Sequence, residues 1–71
     1  MINRKIVELL RAKYPEGTKV ELIYMDDKQA PPVGTSGVVS HVDDAGTVHI
    51  RWDNGSGLGA VYGADKVKKI S

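Results

Sequence analysis

Hydrophobic and polar residues alternate most regularly in the second half of the chain, just before an Asp-Asn-Gly run. In an extended strand, every second side chain lies on the same face. One face carries Val48, Ile50 and Trp52. The other face carries His49 and Arg51, and a glycine-rich segment follows the turn residues. This pattern predicts a β-hairpin with strands at about 47–53 and 56–62, apolar on its inner face and polar on its outer face.

Apolar residues at helical spacing mark the start of the chain. The stripe consists of Ile6, Val7, Leu9, Leu10 and Tyr14. Asn3 is a favourable N-cap, and Ile2 before it is placed to pack on Val7 as a hydrophobic staple. A proline directly after the stripe disfavours a further helical turn. We therefore predict a helix over residues 3–14, stabilised by packing its stripe on the rest of the domain or on a partner.

Three further segments have the alternation and composition of short strands, at about 19–25, 36–43 and 67–70. Both faces of the first are apolar, so we expect it to be covered on both sides. A chain of 71 residues has room for one hydrophobic core. The predicted fold class is therefore mainly β, with a single domain over residues 1–71: a small five-stranded SH3-like barrel with one N-terminal α-helix.

The register of the strands follows from the requirement that apolar side chains face inward. In the second strand, alternation places Val42 inward and Val39 outward. Val42 and Val48 both face inward when the loop between them has three residues, 44–46. His41 then lies directly opposite His49 on the outer face.

The turn of the later hairpin admits two registers. A two-residue Asn-Gly turn would put Leu58 on the outer face. A three-residue Asp-Asn-Gly loop instead pairs Val48 with Ala60 and buries Leu58 beside the tryptophan. Burial of a leucine side chain is worth about 1.5–3 kcal/mol, so we predict the three-residue loop. We also expect Tyr24 and Tyr62 to pack on the same core.

The outer face of this hairpin carries the main candidate for a binding site. In the predicted register, Arg51 lies opposite Gly57 and His49 lies opposite Gly59. Glycines weaken a strand, so we expect them to floor a shallow groove flanked by these side chains and by His41. An arginine beside imidazoles and exposed amides suits phosphate or carboxylate. Alternatively, the glycines relieve barrel curvature or lie under the helix.

The long loop between the first two strands adds to this hypothesis. Its run Gln29-Ala30-Pro31-Pro32 favours an extended, stiff backbone and lacks two N–H donors. Stiff loops of this kind often take part in recognition. We therefore expect Gln29 and Pro31 to contribute to ligand binding, although the loop is equally consistent with a simple connection across the barrel.

The overall charge is nearly balanced, with ten basic and nine acidic residues and a net charge of +1. The basic residues near the two ends are Arg4, Lys5, Arg11, Lys13, Lys66, Lys68 and Lys69. These form a basic patch if the ends meet in space, and ordinary solvated charge if they do not. The sequence lacks cysteine, a signal-peptide pattern and an apolar run of membrane-spanning length, so we expect a cytoplasmic protein with no membrane contact.

Motifs for catalysis or metal binding do not emerge from the sequence. His41 and His49 lack the further ligands that zinc needs, and cysteine is absent. The serines have no nucleophile-elbow context, and the Gly-Ser-Gly-Leu-Gly run does not open a helix as a dinucleotide fingerprint would. We therefore expect a protein that is not an enzyme, with no metal and no cofactor.

Several motifs together resemble a short bacterial and phage family known as a domain of unknown function. They are the run from Met25 to Gly37, the segment Val42-Asp-Asp-Ala-Gly, the segment Trp52-Asp-Asn-Gly-Ser, and the helix end Tyr14-Pro15. The resemblance covers nearly the whole chain. It implies a context in phages and mobile elements and no established activity. The chain departs from the expected family pattern at Gly57-Leu58-Gly59, where the leucine would have more polar or bulkier neighbours.

These observations predict a non-enzymatic binding module of phage or mobile-element origin. In this hypothesis it captures a small anionic ligand such as a nucleotide, against host defence, and forms a homo-oligomer. The alternative is an SH3-like adaptor that contacts nucleic acid or a protein partner through its basic ends. A third alternative is a structural subunit whose helix docks on another chain.

Overall fold

The computed structural model describes residues 3–70, and its N-terminal segment forms the predicted helix. Helix α1 spans Arg4–Lys13. The Asn3 side chain caps this helix by accepting a hydrogen bond from the Lys5 N–H at 2.7 Å. The helix prediction is therefore confirmed, N-cap included. The predicted hydrophobic staple involves Ile2 and lies outside the described residues.

In the described part of the chain, five antiparallel strands follow the helix and form one sheet. They are β1 (Lys19–Tyr24), β2 (Ser36–Val42), β3 (Thr47–Trp52), β4 (Ala60–Val61) and β5 (Lys66–Lys69). Their order across the sheet is β4-β3-β2-β1-β5, so the last strand returns to pair with the first. The predicted fold class, mainly β with one N-terminal helix, is confirmed. Within residues 3–70, no helix is long and apolar enough to cross a membrane.

The hydrophobic core lies on the inner face of the sheet. Its buried members are Tyr14, Val20, Leu22, Val39, Val42, Val48, Ile50, Trp52 and Ala60. Tyr24 and Tyr62 do not join it, because they are 51% and 53% exposed. A register shift against β5 falls between Leu22 and Tyr24, and Tyr62 already belongs to the turn after β4. In each strand, the alternation of inward-facing side chains ends before the tyrosine. The prediction that Tyr24 and Tyr62 pack in the core is therefore wrong.

The first strand is covered on one side only. Val20 and Leu22 are fully buried, whereas Ile23 on the other face is 41% exposed. Helix α1 packs on the core through Leu10, and Tyr14, the residue that ends the helix, is buried in the core. Among residues 3–70, the outer face of β1 thus lacks the cover that its apolar residues predicted.

A β-bulge in β2 changes which of its residues face inward. The register with β3 shifts between Val39 and His41, so Ser40 is an extra residue on β2. Because of this extra residue, Val39 and Val42 both reach the core. The predicted outward position of Val39 is wrong, since strict alternation holds only on the loop side of the bulge.

The two hairpin loops have the predicted length of three residues. Gly46 and Gly55 occupy the left-handed region at φ values of 82° and 90°, which glycine adopts without a steric penalty. Val48 pairs with Ala60, as the three-residue loop of the later hairpin requires. The requirement that apolar residues face inward therefore identified the correct pairing of Val42 with Val48 and of Val48 with Ala60, whereas beyond the bulge in β2 the register of β2 with β3 differs from the prediction.

The return strand of the later hairpin is shorter than predicted. Strand pairing is limited to Ala60–Val61, whereas residues 56–59 are irregular. The carbonyl of Leu58 accepts a hydrogen bond of 2.8 Å from Nε1 of Trp52. This bond brings the segment onto the indole and takes up a backbone acceptor, so Leu58 does not complete the ladder and is only half-buried.

Candidate functional site

Two histidines stack on the outer face of the β2–β3 hairpin. His41 and His49 lie directly opposite each other in the ladder. Their ring centroids are 4.4 Å apart and their planes differ by 10°. The predicted cross-strand pair is therefore confirmed, and it lies between the bulge at Ser40 and the hairpin loop.

One carboxylate ties this loop to the histidine pair. Oδ1 of Asp43 accepts hydrogen bonds from the backbone N–H groups of Ala45 at 2.9 Å and Thr47 at 3.0 Å. Its Oδ2 lies 2.8 Å from Nε2 of His49. A carboxylate can only accept, so this nitrogen carries the proton. The bond from His49, followed by the Thr47 N–H, lowers the pKa of Asp43 below its ordinary value of 3.8, while partial burial acts in the opposite direction.

Replacing Asp43 by asparagine is expected to flatten the acid dependence of stability. A carboxyl group with a lowered folded-state pKa stabilises the fold above its unfolded pKa, and this contribution is lost as the pH falls through the folded pKa. Below about pH 4, the wild type should therefore lose stability more steeply than Asp43→Asn. Urea midpoints across the acid range measure the difference. Asp26→Asn is the matched control because, within residues 3–70, the exposed Asp26 carboxylate makes no hydrogen bond or ion pair. Equal slopes for wild type and Asp43→Asn would contradict the assignment.

The two histidines have separate hydrogen-bond partners. Nδ1 of His41 lies 3.1 Å from Oγ of Ser40, whereas His49 is bonded to Asp43. Protons move along hydrogen bonds at ring edges, and these rings meet by their faces. The serine and the aspartate therefore do not belong to one relay. Residues 3–70 also contain no group of three or more side chains arranged to hold a metal ion.

Arg51 lies on the same outer face, one pleat further along β3. It pairs with Val38 of β2, and its side chain is exposed. Within the described part of the chain, its guanidinium makes no hydrogen bond or ion pair. A depression of about 310 Å³ beside it is lined by Lys19, Ser36, Gly37, Val38, Asp53 and Ile70. The concave surface is therefore next to the arginine and toward β1, away from the histidine stack.

The two glycines predicted to floor a groove have different surroundings. A Cβ atom at Gly59 would lie 2.5 Å from Cγ2 of Thr47 and 3.3 Å from the Val48 carbonyl oxygen. A Cβ atom at Gly57 would meet nothing within 4 Å. The Thr47 methyl group thus occupies the space beside Gly59, and the predicted floor of bare backbone is not found there. Gly59 permits close packing of the return segment on β3.

The two candidate residues of the β1–β2 loop lie away from the histidines. This loop leads into Ser36, whose carbonyl accepts a hydrogen bond of 2.9 Å from the Asp53 N–H, beyond the far end of β3 from His49. Pro31 is buried and Gln29 is exposed. The proline therefore packs inside the domain and offers little surface to a ligand. The structure brings together His41, His49 and, one pleat away, Arg51, but it does not add the loop residues to them.

Basic residues from the two ends of the chain meet in part. Lys13 of α1 and Lys66 of β5 line the same cleft. Arg11, by contrast, donates to the Asp44 carboxylate at 2.8 Å and to the Val42 carbonyl at 3.1 Å. Its charge is neutralised locally. Lys13 and Lys66 are thus the basic residues from opposite ends of the chain that line a common cleft.

Asp43 is the residue at this site that sequence reasoning missed. One of its carboxylate oxygens caps the hairpin loop, and the other is bonded to His49, a contact that the sequence analysis did not include. Because Val42 faces inward, alternation along the strand places Asp43 on the outer face, opposite Thr47 and diagonal to His49. Diagonal neighbours on one face of a sheet are within reach of a long side chain, so the register argument contained enough information to find this contact.

The fold and this face define a small, mainly β domain with an ordered cluster of polar side chains on its central hairpin. The sequence matches the model of the family described as Domain of unknown function (DUF4314) over residues 3–70. The chain belongs to this family, in agreement with the resemblance of its motifs. Among curated proteins and solved structures, none is significantly similar to it.

Proposed function

We propose that this domain is a non-enzymatic binding module that captures a small anionic ligand, a nucleotide, on the outer face of the β1–β3 sheet. The observation that carries the proposal is the exposed guanidinium of Arg51, unpaired within residues 3–70, beside the depression at Val38. A guanidinium presents a planar set of N–H donors that matches phosphate geometry. Arg51 is therefore the phosphate-binding group in this proposal.

The lining of the depression suits the remaining parts of a nucleotide. Val38 and Ile70 supply apolar surface for a base. The carboxylate of Asp53 lies on the same rim, where it repels phosphate but accepts hydrogen bonds from sugar hydroxyls. These preferences orient the ligand with its phosphate toward Arg51 and its sugar toward Asp53.

The histidine pair extends the polar surface beyond the arginine. The stack and the bond to Asp43 hold the ring of His49 in one orientation. Ordered side chains lose little rotamer freedom when a ligand binds, which favours affinity. In this proposal Nε2 of His41 donates to the second phosphate of a nucleoside diphosphate or a cyclic dinucleotide. His49, whose Nε2–H is bonded to Asp43, positions His41 through the stack, and a monophosphate does not need the pair.

Substitution of Arg51 tests the proposal directly. Arg51→Ala is expected to weaken nucleotide binding at least tenfold, because a charge-assisted hydrogen bond is lost, and Arg51→Lys should recover only part of the affinity. Calorimetry with mono-, di- and cyclic nucleotides measures this. Arg4→Ala is the matched control, since Arg4 is an exposed arginine on the helix, 3.7 Å from Glu8.

Two results would contradict the proposal. One is the absence of heat with every nucleotide, at protein concentrations that also permit a homo-oligomer to form. The other is equal affinity of the wild type and Arg51→Ala. The family resemblance adds a biological setting to the proposal, in which a phage or mobile element withholds a signalling nucleotide from host defence in the cytoplasm.

Contact with nucleic acid is the second candidate function, and one observation favours it. Lys13 and Lys66 come from opposite ends of the chain and line a common cleft. The charges of Arg4 and Arg11 add little, because each has an acidic partner. A mobility-shift assay over a range of salt concentrations separates the two functions, since phosphate contacts give a steep salt dependence. Neutralising Lys66, Lys68 and Lys69 should weaken that activity and leave nucleotide binding at Arg51 unchanged.

A further inference from the structure

A second concave surface lies on the opposite side of β3 from the histidines. Strands β4 and β5 are the two edges of the sheet and lie side by side without forming a ladder. A cleft of about 380 Å³ opens at this seam, between the two strands and helix α1. Its volume falls within the range of roughly 300–1,000 Å³ that small-molecule sites occupy.

The floor of this cleft is apolar and rigid. It is formed by Leu10, Val48, Ala60 and Val67. Val48 and Ala60 are a directly paired, buried couple of β3 and β4, and the other two residues pack against the same core. Such a floor accepts a flat apolar group without reorganisation of the protein.

The rim of the cleft carries an excess of positive charge. Nζ of Lys13 lies 5.3 Å from the centre of the Tyr14 ring, where a cation–π interaction holds it. Lys66 of β5 also lines the cleft. The carboxylate of Asp65 also lines the cleft, but its oxygens accept hydrogen bonds from the N–H groups of Asp26 at 3.0 Å and Val61 at 2.9 Å. The cleft is thus lined by two lysines and one aspartate, and the aspartate carboxylate is already engaged by the backbone.

The neighbouring edge of β4 is closed to strand addition. The Val61 N–H donates to Asp65, and the Val61 carbonyl accepts from the N–H groups of Ala64 at 3.1 Å and Asp65 at 2.9 Å. An extended peptide would need these groups for a new ladder. The seam is therefore shaped for a compact ligand.

We propose that the cleft between α1 and the β4–β5 seam binds a small aromatic carboxylate. The ring lies on the apolar floor, and the carboxylate is directed toward Lys13 and Lys66. The exposed ring of Tyr62 lines the entrance and adds a second aromatic surface. This site is separate from the proposed nucleotide site, because Val48 faces the cleft while the adjacent His49 faces the outer side of the sheet.

Titration of the full chain with 2-naphthoate, followed by amide chemical shifts, tests the proposal. The largest shifts are expected at Ala60, Val61, Tyr62 and Gly63. The neutral isostere 2-naphthamide should bind about tenfold more weakly, because it lacks the charge that the lysines recognise. The double variant Lys13→Gln and Lys66→Gln should lose affinity for the carboxylate by a similar factor and bind the amide as the wild type does.

Two control variants make the outcome decisive. Lys28→Gln removes an exposed lysine of the β1–β2 loop and should leave binding unchanged, and Arg51→Ala should leave naphthoate binding unchanged even if it abolishes nucleotide binding. Absence of shifts at millimolar naphthoate would overturn the proposal. So would equal affinities of the carboxylate and the amide, or shifts centred on the outer face of the sheet.

Discussion

Replacement of Trp52 by alanine is expected to lower the free energy of unfolding by about 3–5 kcal/mol. The indole is 3% exposed, and its Nε1–H holds the Leu58 carbonyl at 2.8 Å. The substitution therefore opens a cavity at the centre of the core and leaves a backbone acceptor without its partner. A domain of 71 residues has a total stability of roughly 4–11 kcal/mol, so this substitution removes a large fraction of it.

Urea denaturation followed by far-ultraviolet circular dichroism measures this loss, since the variant has no tryptophan fluorescence. Trp52→Phe keeps an aromatic ring but removes the N–H donor, and its expected cost is smaller, about 1–3 kcal/mol. Tyr24→Ala is the control for loss of an exposed aromatic ring, with an expected change within about 0.5 kcal/mol. Comparable losses for Trp52→Ala and Tyr24→Ala would show that the tryptophan is not the centre of the core.

The second large effect is expected at Gly37, where alanine should destabilise the fold by about 1–3 kcal/mol. A Cβ atom there would lie 2.6 Å from Cγ2 of Ile50, 2.9 Å from Cε3 of Trp52 and 3.0 Å from the Arg51 carbonyl oxygen. The side chains of Ile50 and Trp52 are buried, and the third neighbour is a backbone atom, so none of the three can move aside at low energetic cost. The added methyl group would therefore overpack the contact between β2 and β3.

Gly57→Ala is the matched control for this prediction. A Cβ atom at Gly57 meets nothing within 4 Å, and its φ is not in the left-handed region. Alanine there should be neutral or slightly stabilising, because it restricts the unfolded chain more than the folded one. If both substitutions were neutral in urea denaturation, the close approach of Gly37 to β3 would be refuted.

Much of the fold was predictable because periodicity and turn chemistry are local properties. The cap at Asn3 and the left-handed glycines of both hairpins follow from side chains and backbone preferences a few residues apart. The requirement that apolar residues of neighbouring strands face inward together then gave the pairing of His41 with His49 and of Val48 with Ala60. Each of these inferences needed only neighbouring strands.

The candidate site was predicted less completely, because a site combines elements that are distant in sequence. The outer-face histidines and arginine follow from alternation, but the cleft that contains Lys13 and Lys66 depends on where α1 meets β5. Pro31 belongs to a stiff loop of the kind that often takes part in recognition, but it is buried. Whether a proline in a loop faces solvent or the core depends on how the loop folds back, which local sequence does not encode.

The sequence by itself determined the number of strands, the helix and its cap, the two three-residue loops and the outward direction of His41, His49 and Arg51. Only the tertiary structure decided three other features. The bulge at Ser40 turned Val39 into the core, the indole of Trp52 captured the Leu58 carbonyl and shortened the last hairpin, and Thr47 filled the space beside Gly59. The reason is physical: local preferences act within one element, whereas packing and buried hydrogen bonds are satisfied between elements.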